Sequence, residues 1–256
     1  MQDRGPAAYL AEFIGTFMLV LMITLAVSLF VTAPTPSPAG APPAPQPYID
    51  FGVIGLVHIF ALFLLVQALA IISGAHFNPA VTAAMTALRQ IKPADAGIYI
   101  VVQLAAAVLA TLVTKALLTE FANAKAVDYG ATLVSDRLDG KTGLGMLAEF
   151  IGTFFLMFSI VAMAVSERTP KDWAGFVIGG TLGLGVMVLG PLTGAGFNPA
   201  RSFGPALVGD AFDGAGTFLL VYVLAPVLGA VAAAVIYNFL FLQPGKKEPG
   251  GMEPVG

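Results

Sequence analysis

The sequence predicts an all-α membrane protein with six transmembrane helices and two half-membrane re-entrant helices arranged as an inverted repeat. Three observations carry this prediction: the composition, the number of long apolar stretches, and two short peptides that each occur twice. Of the 256 residues, 57% are hydrophobic and 11% are charged, whereas soluble domains carry roughly a quarter charged residues. The chain is therefore suited to a lipid environment.

The apolar stretches give the spans. A helix needs about 20 apolar residues to cross a bilayer. The first stretch is longer than the core of a signal peptide, which is about 7–15 residues, so we predict that it is a retained span. The predicted spans lie near 7–31, 50–73, 95–119, 144–165, 173–191 and 215–241.

The connecting segments divide the chain. Seven of the fifteen residues at 33–47 are proline, which predicts an extended surface loop. We predict one transmembrane channel domain over residues 1–241, with halves at 1–120 and 143–241, a linker at 121–142, and a disordered cytoplasmic tail at 242–256. Each half holds an odd number of spans, so the second half must enter the membrane from the opposite side.

Lysine and arginine predict the orientation. Seven of them lie on the side of the N-terminus and four on the other side, and positively charged loops face the cytoplasm. We therefore expect an integral, multi-pass protein of a prokaryotic cell membrane, with both termini in the cytoplasm.

The composition excludes several functions. The formal net charge is −3, without a basic stripe, so we expect no nucleic-acid partner. The chain has no cysteine and only two histidines, His58 and His76, which excludes thiolate ligands and a histidine-rich metal cluster. We expect no metal, no cofactor, no catalytic residues and no enzymatic activity.

A ten-residue peptide is written once in each half. Ser73–Thr82 (SGAHFNPAVT) returns as Thr193–Ser202 (TGAGFNPARS), each copy after a long apolar stretch. A short helical piece follows each copy, near 79–88 and 199–208. Each piece would be about 15 Å long at 1.5 Å per residue. Two such pieces placed tip to tip from opposite sides would match one hydrocarbon thickness.

The repeated Asn-Pro-Ala predicts where these half-helices begin. The two asparagines occupy N-cap positions and the two prolines occupy first helical positions. One copy alone would indicate only a capped helix, but two copies in the same frame predict a pore where the two helix starts meet. The predicted pore residues are Asn78, Pro79, Ala80, Asn198, Pro199 and Ala200.

The breaks themselves predict the chemistry of that pore. Irregular backbone at membrane depth is tolerated only where it is buried or lines a watery cavity. We expect extended backbone at 73–77 and 193–197, with carbonyl groups facing passing water. The two asparagine amides would donate to one water oxygen, and the converging positive helix ends would repel cations.

These motifs resemble the aquaporin (major intrinsic protein) family. The resemblance rests on the double Asn-Pro-Ala, on Ala11–Phe17 (AEFIGTF) returning as Ala148–Phe154, and on the run Asn198–Pro205, and it covers about 8–241. It implies a six-span bundle with two half-helices. It also implies a homotetramer in the lipid bilayer with one pore per subunit.

The resemblance further implies a narrow selectivity filter. The residue matching Arg201 lines this constriction in the family, and spacing from the two asparagines gives His58, Val186 and Ala195 as its partners. This set resembles plant tonoplast intrinsic proteins and lacks the two aromatics usual in glycerol facilitators. We expect water to pass, together with small neutral solutes such as ammonia, hydrogen peroxide or urea, while protons and ions are excluded.

Four further residues are expected to support the pore. Glu12 and Glu149 lie inside predicted spans, where a carboxylate should face the bundle interior. We expect each to accept backbone N–H groups of the break in its own half, with a proton relay as the alternative. Gln103 and His76 are expected to brace the same region. Gly15, Gly152, Gly180 and Gly183 are expected to allow close helix crossings.

A passive water channel is thus the leading interpretation, with a glycerol-facilitator-type channel as its alternative. A secondary transporter is more remote, because broken helices in inverted repeats also suit transporters but few coupling groups exist. A membrane enzyme would lack a nucleophile and its base.

Overall fold

The computed structural model describes residues 4–31 and 48–242, with side chains from residue 50 onward in the second segment. Within these residues all regular structure is helical, and six helices are long and apolar enough to cross a membrane. The predicted spans are thereby confirmed. The helices are α1 (Pro6–Phe30), α2 (Tyr48–Ser73), α4 (Pro93–Leu117), α6 (Thr142–Val165), α7 (Ala174–Thr193) and α9 (Ala215–Leu242).

The two predicted half-helices are also present. They are α3 (Pro79–Ala87) and α8 (Pro199–Gly209). Proline occupies the first position of each, where its missing N–H costs nothing because the first turn of a helix has no intrahelical acceptors. The Pro-rich stretch at 33–47 and the tail from residue 243 lie outside the described residues.

Helix packing follows the repeat. In the first half α1 lies along α4, and in the second half α6 lies along α9. Each half-helix packs against the third span of the opposite half, α3 against α9 and α8 against α4. This exchange brings the starts of α3 and α8 together at the centre of the bundle.

Helices α2 and α7 make the close contact between the halves. A Cβ atom added at Gly179 would lie 2.4 Å from the Ile59 carbonyl oxygen, and one at Gly183 would lie 2.4 Å from the Gly55 carbonyl oxygen. Only glycine permits this approach of two backbones. The expectation for Gly180 was wrong, because a Cβ atom there would meet no atom within 4 Å.

The outward faces of the long helices carry large apolar side chains. Such a surface matches lipid, which offers no partner for polar groups. Exposed examples, one from each long helix, are Leu10, Leu64, Val101, Leu147, Val188 and Leu228.

The predicted linker folds back onto the bundle. It contains the short helix α5 (Ala122–Ala126) and two single turns, Asp128–Gly130 and Asp136–Leu138. The first turn packs against α1 and α8. It is a left-handed stretch, with φ of 47°, 53° and 89° at its three residues. This turn therefore reaches the half-helix that carries Arg201.

Candidate functional site

A buried glutamate fixes the backbone of each break. Glu12 accepts hydrogen bonds from the N–H groups of His76 (2.9 Å) and Phe77 (2.7 Å). Glu149 accepts from the N–H groups of Gly196 (2.9 Å) and Phe197 (2.6 Å). Both carboxylates are inaccessible to solvent, so these donors satisfy charges that would otherwise be costly to bury.

A hydroxyl and a tyrosine complete each break. The Ser73 hydroxyl donates to Glu12 at 2.7 Å, and the Thr193 hydroxyl donates to Glu149 at 2.6 Å. The Tyr99 hydroxyl donates to the Ser73 carbonyl at 2.8 Å. In the second break the Tyr222 hydroxyl donates to the Thr193 carbonyl at 2.9 Å. The bonds of these tyrosines to the two breaks were not predicted from the sequence. Tyr99 lies 26 residues after Ser73, and Tyr222 lies 29 residues after Thr193, so no common spacing from the repeated peptide marks the two tyrosines.

The backbone of the breaks differs from the expectation of an extended chain. In the first break φ is 88° at Gly74, 51° at Ala75 and 48° at Phe77. The second break repeats this with 74°, 48° and 50° at residues 194, 195 and 197. A left-handed φ is strained for residues other than glycine, and the hydrogen bonds to the buried glutamates hold it in place.

Each strained phenylalanine packs its ring into a notch. A Cβ atom added at Gly15 would lie 2.0 Å from the Phe77 ring, and one at Gly152 would lie 2.0 Å from the Phe197 ring. Both rings are fully buried. Gly15 and Gly152 thus make room for the break of their own half, which corrects the expectation that they allow helix crossings.

The two asparagines tie the breaks together. Asn78 caps α3 by accepting from the Ala80 N–H at 2.8 Å, and Asn198 caps α8 by accepting from the Ala200 N–H at 3.0 Å. Asn78 Nδ2 donates to the Phe197 carbonyl and Asn198 Nδ2 donates to the Phe77 carbonyl, both at 2.8 Å. Each amide has a second N–H, and both asparagines line a cavity.

This cavity has a volume of about 690 Å³ and extends into the bundle. It starts at a mouth near the N-terminus, passes the two asparagines, and reaches His58 and Arg201. Its walls are mainly apolar, with a few polar groups among them. Apolar lining residues include Leu19, Ile23, Leu62, Val66, Ile178 and Leu182.

His58 and Arg201 present opposite hydrogen-bonding character to the cavity. His58 Nδ1 lies 2.8 Å from the Ile54 carbonyl oxygen. Because a carbonyl only accepts, Nδ1 carries the hydrogen in the neutral ring and Nε2 is an acceptor. Arg201 supplies donors, and its Nη1 is oriented by donation to the Gly130 carbonyl at 2.8 Å.

The remaining two predicted filter residues are buried away from the cavity wall. Val186 on α7 and Ala195 in the second break are each 1% exposed. Neither is among the described residues that line the cavity. Gly130, which the sequence analysis missed, has no local signal, because it reaches Arg201 from 71 residues away.

The supporting residues of the first break form one connected cluster. Gln103 Nε2 donates to Glu12 at 2.8 Å and to the Thr82 hydroxyl oxygen at 3.2 Å. The Thr82 hydroxyl donates to the Asn78 carbonyl at 3.0 Å and lies 3.1 Å from His76 Nδ1. Since the single Thr82 hydrogen goes to the carbonyl, His76 Nδ1 is the donor and its Nε2 an acceptor.

Comparison with known proteins gives matches over nearly the whole chain. The family described as "Major intrinsic protein" matches residues 5–237. The chain is 38% identical to "Aquaporin AqpM" of Methanothermobacter thermautotrophicus over 244 residues, covering 90% of this chain and 96% of the relative. It is 37% identical to "Glycerol uptake facilitator protein-like 6" of Lactiplantibacillus plantarum, covering 88% and 94% of the two chains.

A solved structure shares the fold. The crystal structure of the aquaglyceroporin from Plasmodium falciparum superposes with a TM-score of 0.71 at 22% identity, covering 91% of this chain and 96% of that one. The two half-helices and six spans described above therefore form a known architecture.

Proposed function

Because this chain belongs to the major intrinsic protein family, whose members are membrane channels rather than enzymes, we propose that it is a passive channel for water. We propose that small neutral solutes such as ammonia, hydrogen peroxide or urea also pass, and that protons and ions are excluded. One observation carries this proposal: the two asparagines that cap α3 and α8 meet inside the cavity and tie the breaks together.

The geometry supports proton exclusion at this point. Two helix N-termini converge there, each equivalent to about half a positive charge. The second N–H of each asparagine amide donates to a water oxygen in the cavity. A water that accepts two such bonds keeps both hydrogens pointing away from the centre, so the hydrogen-bonded chain needed for proton transfer is interrupted.

The flanking backbone supports water passage. Within the described part of the chain, the carbonyls of Gly74, Ala75 and His76 accept no hydrogen bond from the protein. Such carbonyls accept from water and replace part of its hydration shell. The opposing walls are apolar and retain water weakly, which favours fast single-file movement.

We propose His58, Val186, Ala195 and Arg201 as the selectivity filter. His58 supplies an acceptor and Arg201 supplies donors, so a small solute with both groups is accommodated. Val186 and Ala195 contribute little bulk behind them. In the double variant His58→Phe with Val186→His, an aromatic ring and a polar ring narrow this region. Urea and ammonia flux should then fall while water flux persists, and unchanged urea flux would remove these residues from the filter.

We also propose the assembly and its setting. The family resemblance supports a homotetramer with one pore per subunit. The lysine and arginine bias supports cytoplasmic termini. The similarity to archaeal and bacterial relatives supports a prokaryotic cell membrane.

Stopped-flow light scattering on proteoliposomes tests the channel. Vesicles that hold the protein should shrink rapidly under osmotic stress, with a low activation energy. The informative variant is Leu182→Trp, which places a large ring at a cavity-lining position that is 6% exposed. Its matched control is Leu184→Trp, two residues along the same helix and 50% exposed on the lipid side.

We expect Leu182→Trp to abolish most water flux and Leu184→Trp to keep it. Equal flux from both variants would contradict passage through this cavity. A glycerol-facilitator-type channel is the second candidate, favoured by the relative named as a glycerol uptake facilitator. Parallel measurement of water, ammonia, urea and glycerol separates the two, because glycerol flux comparable with water flux would identify the second candidate.

A further inference from the structure

The mouth of the cavity near the N-terminus carries positive charge. Arg4 and Lys171 line this mouth, and Arg201 lines the far end. Among the described lining residues these three are the only charged side chains, since no aspartate or glutamate contributes to the wall. The two cations at the mouth differ in what they contact.

Lys171 caps the C-terminal end of α6. Its ammonium donates to the carbonyls of Met163, Ala164 and Ser166. These groups close the last turn of α6, where carbonyls lack intrahelical partners and the helix dipole is negative. The three donors of Lys171 are therefore directed at the protein rather than at the lumen.

Arg4 is anchored by hydrogen bonds of its main chain, and these bonds do not involve its guanidinium. The Arg4 N–H donates to Asp95 Oδ2 at 3.4 Å. The Tyr9 hydroxyl lies 2.6 Å from Asp95 Oδ1 and 3.1 Å from the Arg4 carbonyl oxygen. Asp95 is 8% exposed, and it meets the backbone of residue 4 rather than the guanidinium.

The Arg4 guanidinium lies against the first break. A Cβ atom added at Gly74 would lie 3.4 Å from Arg4 Nη2 and 3.5 Å from His76 Nε2. The guanidinium and the imidazole therefore approach the same point of the break. Arg4 Nε is buried and has no hydrogen-bond partner among the described residues. Because His76 Nδ1 donates to Thr82, the other ring nitrogen, Nε2, is an acceptor.

This arrangement repeats the chemistry of the far end of the cavity. There Arg201 supplies donors and His58 supplies an acceptor; at the near mouth Arg4 and His76 play the same parts. The sequence repeat does not produce this likeness, because the residue matching Arg201 in the first break is Val81 and the residue matching His76 in the second is Gly196. The second arginine comes instead from the segment before α1.

We propose that Arg4 is a specificity-determining residue, a second cationic constriction at the mouth near the N-terminus that excludes cations there as Arg201 does at the far end. This inference rests on the proposed channel function. A cation that passes one end of the pore still meets the opposite arginine. Each barrier therefore masks the loss of the other.

The test compares proteoliposomes of four proteins: the original chain, Arg4→Gln, Arg201→Val, and the double variant. Cation leak is measured as potassium flux, because the asparagine pair that interrupts proton transfer is present in all four proteins. Arg201→Val alone should leak modestly, and the double variant should leak at least about tenfold more than the sum of the single variants, because fields along a low-dielectric pore act in series. A double-variant leak no larger than that sum would overturn the proposal.

The matched control is Arg89→Gln, which removes the same charge from an exposed residue that does not line the cavity. Combined with Arg201→Val, it should leave the leak of the single variant unchanged. Arg4→Lys combined with Arg201→Val should restore exclusion, because it restores the charge. Since residue 4 is anchored by its main chain, none of the side-chain changes at residue 4 removes an anchor.

The absence of cysteine from the chain allows a second test on one folded sample. In the double variant Arg4→Cys with Arg201→Val, a trimethylammonium methanethiosulfonate reagent adds a positive charge at residue 4, and a sulfonate reagent of similar size adds a negative one. The cationic adduct should suppress the cation leak and the anionic adduct should increase it. Equal effects of both reagents, or no effect of either, would overturn the proposal.

Water flux separates the two levels of inference. If the original chain conducts water and the leaks do not respond to residue 4, the role of Arg4 fails while the channel stands. If the original chain conducts no water, the proposed function itself fails.

Discussion

The two breaks share a scaffold but differ in the side chains that surround it. Both have a buried glutamate, a hydroxyl, a tyrosine, a notch for a phenylalanine ring, and a capping asparagine. Around the first break, His76, Thr82 and Gln103 form a connected cluster. Around the second break the matching residues are Gly196, Ser202 and Pro226.

The second break contains a buried hydroxyl, that of Ser202, without a hydrogen-bond partner among the described residues. A Cβ atom added at Gly196 would lie 2.5 Å from that hydroxyl oxygen, so no larger residue fits in the place of His76. Arg201 extends here to the Gly130 carbonyl instead. The shared residues thus build the break, and the unshared ones give each end of the pore its own chemistry.

The largest effect should come from the shared glutamates. In each native glutamate both carboxylate oxygens accept from buried backbone N–H groups. Glu12→Gln and Glu149→Gln each replace one of these oxygens with an NH₂ group, which cannot accept. Each buried donor left unpaired costs about 1–3 kcal/mol. We expect either variant to lower the unfolding temperature strongly in detergent. Thermal unfolding followed with a fluorescent dye that binds the unfolded protein measures this change. A large loss for one glutamate and none for the other would show that the two scaffolds are not equivalent.

The glycine notches should give the next largest effect. Gly15→Ala and Gly152→Ala would each place a methyl group 2.0 Å from a buried ring, and overpacking of this kind typically costs about 1–3 kcal/mol. Gly180→Ala is the matched control, because its methyl group meets no atom within 4 Å. The control should be neutral or slightly stabilising in the same thermal assay. Equal tolerance at all three positions would contradict the notch.

Substitution of the two unshared hydroxyls, those of Thr82 and Ser202, should affect stability differently. Thr82→Val removes the oxygen that accepts from His76 and Gln103, and we expect a loss of about 1–3 kcal/mol for donors left unpaired in the interior. Ser202→Ala removes an oxygen with no partner and should leave stability unchanged or raise it. A similar loss for both variants would mean that the second break contains a partner for Ser202.

The smallest effect concerns the turn Asp128–Gly130, which packs against α1 and α8. Burial raises the pKa of the Asp128 carboxyl above its ordinary value of 3.8, so the folded state favours the neutral form. The contribution of this residue to stability is then fully present below pH 3.8 and is lost as the pH rises through the folded-state pKa. Asp128→Asn keeps a residue that tolerates the left-handed φ of 47°.

We expect Asp128→Asn to stabilise the protein at pH 7 by less than about 1 kcal/mol, since the group is only partly buried. The gain should vanish at pH 3, where the original carboxyl is neutral as well. Thermal unfolding of both proteins across this range measures it. A gain that is independent of pH would assign the effect to something other than charge.

Much of the architecture could be predicted from the sequence, because the signals are local. Span length, the glycine-containing breaks and the Asn-Pro caps each depend on residues that are close in sequence, and the helices begin and end near the predicted positions. The left-handed backbone of the breaks was not predicted. The hydrogen bonds from the break amides to Glu12 and Glu149 were expected, but they specify which N–H groups are paired and do not by themselves specify the φ angles.

The unpredicted parts of the site all depend on distant partners. The reciprocal bonds of Asn78 and Asn198 join atoms 119 and 121 residues apart. Arg4 was counted only among the seven positive charges on the side of the N-terminus, because nothing near it in the sequence indicates that it reaches Gly74. Phe77 and Gly15 likewise carry no mark of their contact beyond the fact that both recur in the second half.

The reciprocal asparagine bonds also have a mechanical consequence. At the centre of the cavity these two bonds join the break of one half to the break of the other, so widening the cavity there would break both bonds and leave the Phe77 and Phe197 carbonyls without these partners. The centre of the proposed channel should therefore keep a constant width. A change of width at the Arg4 end of the cavity would leave both of these bonds intact.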